Sequence, residues 1–369
     1  MRPSVPLNWR ATPMPFTFSV DPAELIEERT PQWVLSGIDP AVLDQMSRRI
    51  RDLWADGPGG WAHEWSLLAE QAEKDGDALR ASGLYGIAKF PVLGNAAHAR
   101  AYDNHLRTFR QASVGFEVPF ERQVIGVRFR GQVAQVPVHL YLPENLPADA
   151  PVVLVFSGVD TWKAEVHPTA VATAQMVGAR VATVDMAGTG ESPVANGPDG
   201  EQYIGGVIDW LRRRFPEARR VGTVGFSFAG HWTVKLALLG TVDAAVSIGG
   251  LIDTAFSPEA VARLRFGMPG IFGNSLRLDA ELSRAELAAA MGPFSLRAQG
   301  LLDDWGSDPV PLLYVNGAED QHIPADDAKP LEARPNTVVR LVPNATHCAL
   351  QEAQELIPWS LQWLGDRLA

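Results

Sequence analysis

The sequence predicts an α/β protein with a mostly parallel, doubly wound sheet, an N-terminal helical domain and a lid insertion. Three observations carry this reading. From residue 120 onward, short apolar runs alternate with helical stretches, as β-α-β units require. Before residue 119, apolar residues recur at helical spacing and no strand pattern occurs. Between 251 and about 308 the alternation stops and helical segments return. The chain has 369 residues, 46% hydrophobic and 20% charged, which is enough for two domains with cores of their own.

Residues 1 to about 38 are Pro-rich and read as irregular. Asp39-Pro40 is an N-cap followed by proline at the first helical position. Leu43, Met46, Ile50, Leu53 and Trp54 follow at helical spacing, until Gly-Pro-Gly-Gly at 57–60 stops the helix. A second helix is expected from 61 to about 80, with Trp65, Leu68 and Ala72 on one face. Residues 83–94 read as a broken helical stretch and 95–112 as a further helix. This front, 1–118, has apolar faces and tryptophans (Trp54, Trp61, Trp65) that need cover, so it is expected to cap a substrate pocket. His63, His98 and His105 lie here without metal-ligand spacing. His98 and His105 share a helix face, which reads as a solvated or packed face, the alternative being that one of them lines a substrate pocket under the second domain.

The second domain spans 119–369. Residues 120–129 and 133–142 read as an antiparallel pair joined near Gly131. Pro151 opens the apolar run 152–156, suited to a strand buried on both faces. Helix 167–177, strand 180–185, helix 202–214, strand 220–225, helix 232–239 and strand 244–248 follow. The insertion at 251–308 has helical segments around Pro258 and over 280–291, separated by Gly-Met-Pro-Gly at 267–270. Strand 311–315, a helix near 325–331, strand 337–342 and a final helix from about 350 to 368 complete the chain.

Three strand ends carry chemistry. Val221–Gly225 runs into Phe226-Ser227-Phe228-Ala229-Gly230 and then a helix, the strand–turn–helix context of a nucleophile elbow. The strand ending at Val315 leads to Glu319-Asp320, and the one ending at Val342 leads to His347. A serine hydroxyl needs a base to become nucleophilic, and histidine serves that role near neutral pH. A carboxylate then fixes the imidazole tautomer. The chain order Ser227, Asp320, His347 matches that scheme, with Glu319 as the alternative acid. The oxyanion hole is expected from the backbone N–H of Phe228 and of Val159 in the loop Ser157-Gly158-Val159-Asp160, with Gly158 the alternative. The loop 185–192 contains Gly-x-Gly but not a complete dinucleotide or phosphate fingerprint, and reads as structural. Cys348 reads as a small buried residue.

The net charge of −11 argues against nucleic-acid binding. No run approaches a membrane span, and the N-terminus, with Arg2, Arg10 and four prolines, lacks the apolar core of a signal peptide. A single cysteine suits a reducing compartment. The expectation is a cytoplasmic enzyme acting on a small molecule, a possible homodimer, with no cofactor and no metal.

Together the motif 225–230, the loop 185–192, Gly317 to Asp320 and His347 resemble the α/β-hydrolase superfamily over about 120–369. The helical front with Ser157-Gly158-Val159-Asp160-Thr161-Trp162-Lys163-Ala164-Glu165 resembles, over nearly the whole chain, the group of dihydroxypseudooxynicotine hydrolase, fungal naphthopyrone chain-shortening hydrolases and FrsA-like proteins. The chain departs from that group's pattern at Ser157 and Ala229, where glycine is usual. The resemblance implies an α/β-hydrolase fold and hydrolysis of a carbon–carbon bond beside a ketone, in an acylated aromatic, β-diketone or polyketide-like substrate. A carboxylesterase or thioesterase, an acyltransferase or cyclase, and a non-catalytic binding protein are the rivals. The complete Ser/Asp/His set argues against the last.

Overall fold

The computed structural model describes residues 16–369. The extreme N-terminal residues weighed above as a leader lie outside the described residues. The first described element is a correction. Residues expected to be irregular form helix α1, Pro22–Leu35. Asp21 caps it by accepting the Ala23 N–H at 2.9 Å, with Pro22 at the first position. This is the same start signal as Asp39-Pro40, which opens α2, Pro40–Arg49. Pro31 inside α1 obscured the signal, since an interior proline costs about 3 kcal/mol. Burial of Leu25, Ile26 and Trp33 offsets that cost. The Trp33 ring lies 5.9 Å from Trp61, 5.8 Å from Trp65 and 5.8 Å from Phe90. Trp61 and Trp65 are thus covered by a helix the sequence pattern had hidden, whereas Trp54 packs on Phe18 and His98.

Helix α3, Trp61–Lys74, stops six residues before the expected end. Gly76 at φ +81° turns the chain, and the Asp77 side chain caps α4, Ala78–Lys89, by accepting the Arg80 N–H. The stretch read as broken is therefore mostly one helix, and α5, Ala96–Ala112, is capped by Asn95. Gly86 lets α4 approach α5: a Cβ there would stand 3.4 Å from the His105 ring. His98 and His105 are fully buried, in line with a packed face.

The sheet follows in strands β1 (Phe120–Phe129), β2 (Gln132–Tyr141), β3 (Val152–Phe156), β4 (Arg180–Val184), β5 (Val221–Phe226), β6 (Ala244–Ile248), β7 (Leu312–Gly317) and β8 (Thr337–Val342). Their order is β1-β2-β4-β3-β5-β6-β7-β8. The β1–β2 and β2–β4 pairs are antiparallel, and every later pair is parallel. Helix α6 (His167–Val177) follows β3, α7 (Gly200–Arg214) precedes β5, and α8 (Phe228–Leu238) follows it. One face of the sheet packs on α7 and α8 through Tyr203, Leu211 and Trp232, joined by Phe256, Phe272 and Phe294 of the insertion. The other face packs on α6 and on the last helix through Ala170, Ala174, Leu361 and Leu364. The helical front keeps a third apolar cluster. Strand order reverses between β3 and β5, the crevice where open α/β sheets bind ligands.

The insertion holds α9 (Pro258–Arg263), α10 (Met268–Ser275) and α11 (Arg284–Met291). Gly-Met-Pro-Gly does not separate helices, as expected, but starts α10, with Gly267 as its left-handed cap. At Gly270 the Phe18 ring takes the place of a Cβ, which would stand 2.2 Å from it. After β7 the expected helix contracts to α12, Lys329–Glu332. Helix α13, Ala353–Leu368, follows a tight turn at 347–352. Among the described residues no helix is long and apolar enough to cross a membrane.

Candidate active site

Ser227 sits between β5 and α8 with φ 54° and ψ −128°, a conformation L-residues avoid unless the surroundings impose it. Its N–H donates to the Ile248 carbonyl at 2.8 Å, and its carbonyl accepts the Gly230 N–H at 2.8 Å. The turn closes only around glycines. A Cβ at Gly225 would stand 2.3 Å from Thr233 Oγ1, and one at Gly230 2.8 Å from Gly250 Cα.

The three side chains predicted from the strand ends come together. His347 Nε2 lies 2.9 Å from Ser227 Oγ, and Nδ1 lies 2.7 Å from Asp320 Oδ2. With Asp320 ionised, Nδ1 carries the proton and Nε2 is left to accept from the serine hydroxyl. Asp320 also accepts from the backbone N–H groups of His322 at 2.7 Å and Ile323 at 3.1 Å, and from Asn316 Nδ2 at 2.8 Å. Glu319, the alternative acid, is exposed, and Asp320 holds the position. Burial alone would raise the Asp320 pKa. The His347 charge and hydrogen bond outweigh it and hold the carboxyl down to about 2. Burial alone would depress His347, but the Asp320 carboxylate reverses this and pushes the imidazole well above its ordinary value.

Asn316 was missed by the sequence reading. It steadies Asp320 with its amide and accepts the Cys348 N–H at 3.0 Å, so it braces the acid and the chain just beyond His347. Cys348 is buried, with Sγ 3.4 Å from the Ile248 carbonyl. His322 lies over His347, ring centroids 5.3 Å apart, and its Nε2 is 3.5 Å from Glu28 of α1. Burial opposes ionisation of Glu28, but Arg29 and His322 hold its pKa near 2.

The loop after β3 crosses directly over Ser227. A Cβ at Gly158 would stand 2.9 Å from Ser227 Cβ, 3.0 Å from Oγ and 3.2 Å from the Phe228 nitrogen. Among the described residues, the Phe228 and Val159 N–H groups take part in no hydrogen bond. Further along this loop, the Lys163 N–H donates to Asp185 at 2.7 Å, and Lys163 Nζ lies 2.6 Å from both Asp185 and Glu191. The 185–192 loop thus braces the loop over Ser227.

A cavity of about 380 Å³ opens onto Ser227 and His347. Its walls come from α1 (Arg29, Gln32, Leu35) and its cap Ser36, from α6 and from α13 (Ala353, Ile357). Residues of the helical front and Ser227 thus line the same cavity. The insertion contributes nothing to the described wall of this cavity. It packs instead on the elbow, with Phe272 and Phe294 centroids 5.1 and 5.5 Å from Phe228. Among the described residues, no group of three or more His, Cys, Asp or Glu is placed to hold a metal ion.

A family model described as "Esterase FrsA-like" matches residues 28–368. The esterase FrsA of Photobacterium profundum is 24% identical over 378 residues, which cover 92% of this chain and 87% of that protein. Among solved structures, AbyA5 superposes with a TM-score of 0.79 at 21% identity, covering 94% of this chain and 95% of that one. The 2,6-dihydroxy-pseudo-oxynicotine hydrolase gives a TM-score of 0.71 at 20% identity, covering 92% and 95%.

Proposed function

The chain belongs to the FrsA-like esterase family, a group of α/β-hydrolase enzymes, and from that premise we propose that it is a serine hydrolase whose nucleophile is Ser227. The observation that carries this reading is the unbroken relay from Asp320 through His347 to Ser227, at 2.7 and 2.9 Å. His347 takes the hydroxyl proton as Oγ attacks a carbonyl carbon. The negative charge that develops on the carbonyl oxygen is received by the N–H groups of Phe228 and Val159. Collapse of the adduct releases the leaving group, which takes the proton from His347. Water, deprotonated by His347, then hydrolyses the acyl-serine and restores the free enzyme.

We further propose that the physiological bond is carbon–carbon, cleaved beside a ketone in an acylated aromatic, β-diketone or polyketide-like substrate. Carbon is a far poorer leaving group than an alkoxide. The step becomes feasible when a second carbonyl or an electron-rich phenol stabilises that carbon and His347 returns its proton there. The α1 side chains in the wall of the Ser227 cavity support this reading, because a substrate held against them covers Ser227 and keeps water from competing. The solved 2,6-dihydroxy-pseudo-oxynicotine hydrolase shares the fold over 92% of this chain. The family's esterase description supports ester hydrolysis as the second reading.

Product analysis separates the two. Aryl β-diketones and acylated polyhydroxy-aromatics are compared, by specificity constant, with size-matched esters. Efficient cleavage of at least one ketone series is expected. Inert ketones beside efficiently hydrolysed esters would replace the carbon–carbon reading with an esterase.

A further inference from the structure

Two buried cations of the helical front converge on one residue of the loop over Ser227. Arg29 of α1 places Nη2 2.5 Å from Asp160 Oδ2. Lys89, the last residue of α4, donates from Nζ to the Asp160 carbonyl oxygen. Lys89 is completely buried, with Nζ 2.8 Å from Glu165 Oε2 and 3.8 Å from the centroid of the Trp162 ring. Glu165 in turn accepts the Trp162 N–H at 2.8 Å.

The triad chemistry needs neither cation, and neither makes a hydrogen bond to Ser227, His347 or Asp320. Burying an ammonium and a guanidinium is costly unless each is paired, so a residue that engages both has its position dictated by them. Asp160 is held twice, by its carboxylate and by its carbonyl. It lies two residues beyond Gly158, whose closeness to Ser227 leaves no room for a side chain, and one beyond Val159. A displaced Asp160 peptide carries the Val159 N–H with it, and oxyanion stabilisation depends on donors fixed before the charge appears.

We propose that Arg29 and Lys89 are positioning residues for the oxyanion hole: through Asp160 they hold the Ser157–Asp160 loop, and with it the Val159 N–H, in register with Ser227. The helical front is then part of the catalytic apparatus and not only a wall of the pocket. This inference rests on the serine-hydrolase reading above.

The test uses the full chain and a fluorophosphonate: serine attacks phosphorus, fluoride leaves, and the phosphoryl oxygen gathers negative charge where the carbonyl oxygen would. Arg29→Gln and Lys89→Gln are compared with the natural chain, with thermal melts to establish folding. The inactivation rate constant is expected to fall ~10–100-fold, a fraction of the effect of losing an oxyanion donor, while in Lys89→Gln the inhibitor's initial binding constant stays within about threefold. Affinity for a trifluoromethyl ketone, which forms an oxyanion on Ser227, should fall in parallel, and affinity for the matching alcohol should not. Lys89→Gln matters because Lys89 is absent from the described cavity wall, so its effect must travel through the loop. Arg29→Lys keeps the charge but loses the planar fork and should recover part of the rate. It also carries the test where a glutamine variant does not fold. Folded variants that inactivate within twofold of the natural chain, or lose rate without losing ketone affinity, overturn the proposal. Failure of the serine reading itself looks different: Ser227→Ala would be labelled as fast as the natural chain, and both inferences would fall together.

Discussion

At the scale of single residues, the account rests on three side chains acting as one unit. Ser227→Ala and His347→Ala should each cost several orders of magnitude in turnover, and the double variant little more. Additive losses in kcat/KM would contradict a shared role. Asp320 raises the His347 pKa, so the acid limb of kcat/KM should lie above the ordinary histidine value of about 6.5. Asp320→Asn should move that limb down and lower the rate about 10⁴-fold. A limb at or below about 6 in the natural chain would contradict the coupling. Gly158→Ala is a sharper steric probe. Its methyl group would meet Ser227 Oγ at 3.0 Å, so activity should fall by about 10²-fold or more for a displacement of roughly 1 Å, with a small change in melting temperature. Near-normal turnover would show that the loop does not lie over the nucleophile. These residues were legible because each follows a strand end in a sequence of clear alternation. Arg29 was not legible. Its partner Asp160 lies 131 positions away, and nothing local marks either as half of an ion pair.

At the scale of elements, strands were read almost to the residue, and helices less well. The runs at 152–156, 244–248 and 337–342 are bounded by turn residues and saturated with β-branched or small apolar side chains. Helix α1 was lost because Pro31 reads as a breaker, whereas the force that sustains the helix is tertiary: Trp33 fits among Trp61, Trp65 and Phe90. Gly267 and Gly270 misled in the opposite direction, since glycines that permit close packing on Phe18 look, in sequence, like punctuation. Trp33→Ala should therefore cost about 3–5 kcal/mol, measured by denaturant unfolding. It should also lower activity, because α1 carries Arg29 and part of the cavity wall. A loss below about 1 kcal/mol would mean that α1 docks by some other contact.

At the scale of the whole molecule, buried histidines should make stability acid-sensitive from about pH 6.5 downward. His98, His105 and His231 are buried, and burial depresses each to about 3. His139 is buried too, and burial holds it well below its ordinary value. An unfolded chain protonates these groups near about 6.5, whereas the native chain does not, so the native state loses stability as pH falls below that value. The slope is at most about 1.4 kcal/mol per pH unit for each histidine. His167, partly buried, is lowered to about 4 and adds to this loss, whereas the stability that His347 gains from Asp320 changes only above about 6.5 and is fully present below it. Glu28 and Asp320, held near 2, add their own loss only below the ordinary carboxylate range. The melting temperature should therefore drop steeply between about pH 6.5 and about 4.5, and a flat profile there would contradict this view of the interior. The central claim, that this fold delivers a single activated serine at the meeting of β3 and β5, has a direct measurement: peptide mapping after reaction with a fluorophosphonate. The account expects one adduct, on the peptide containing Ser227, absent from Ser227→Ala and formed far more slowly in His347→Ala. Labelling that persists in Ser227→Ala, or maps to another residue, would contradict it.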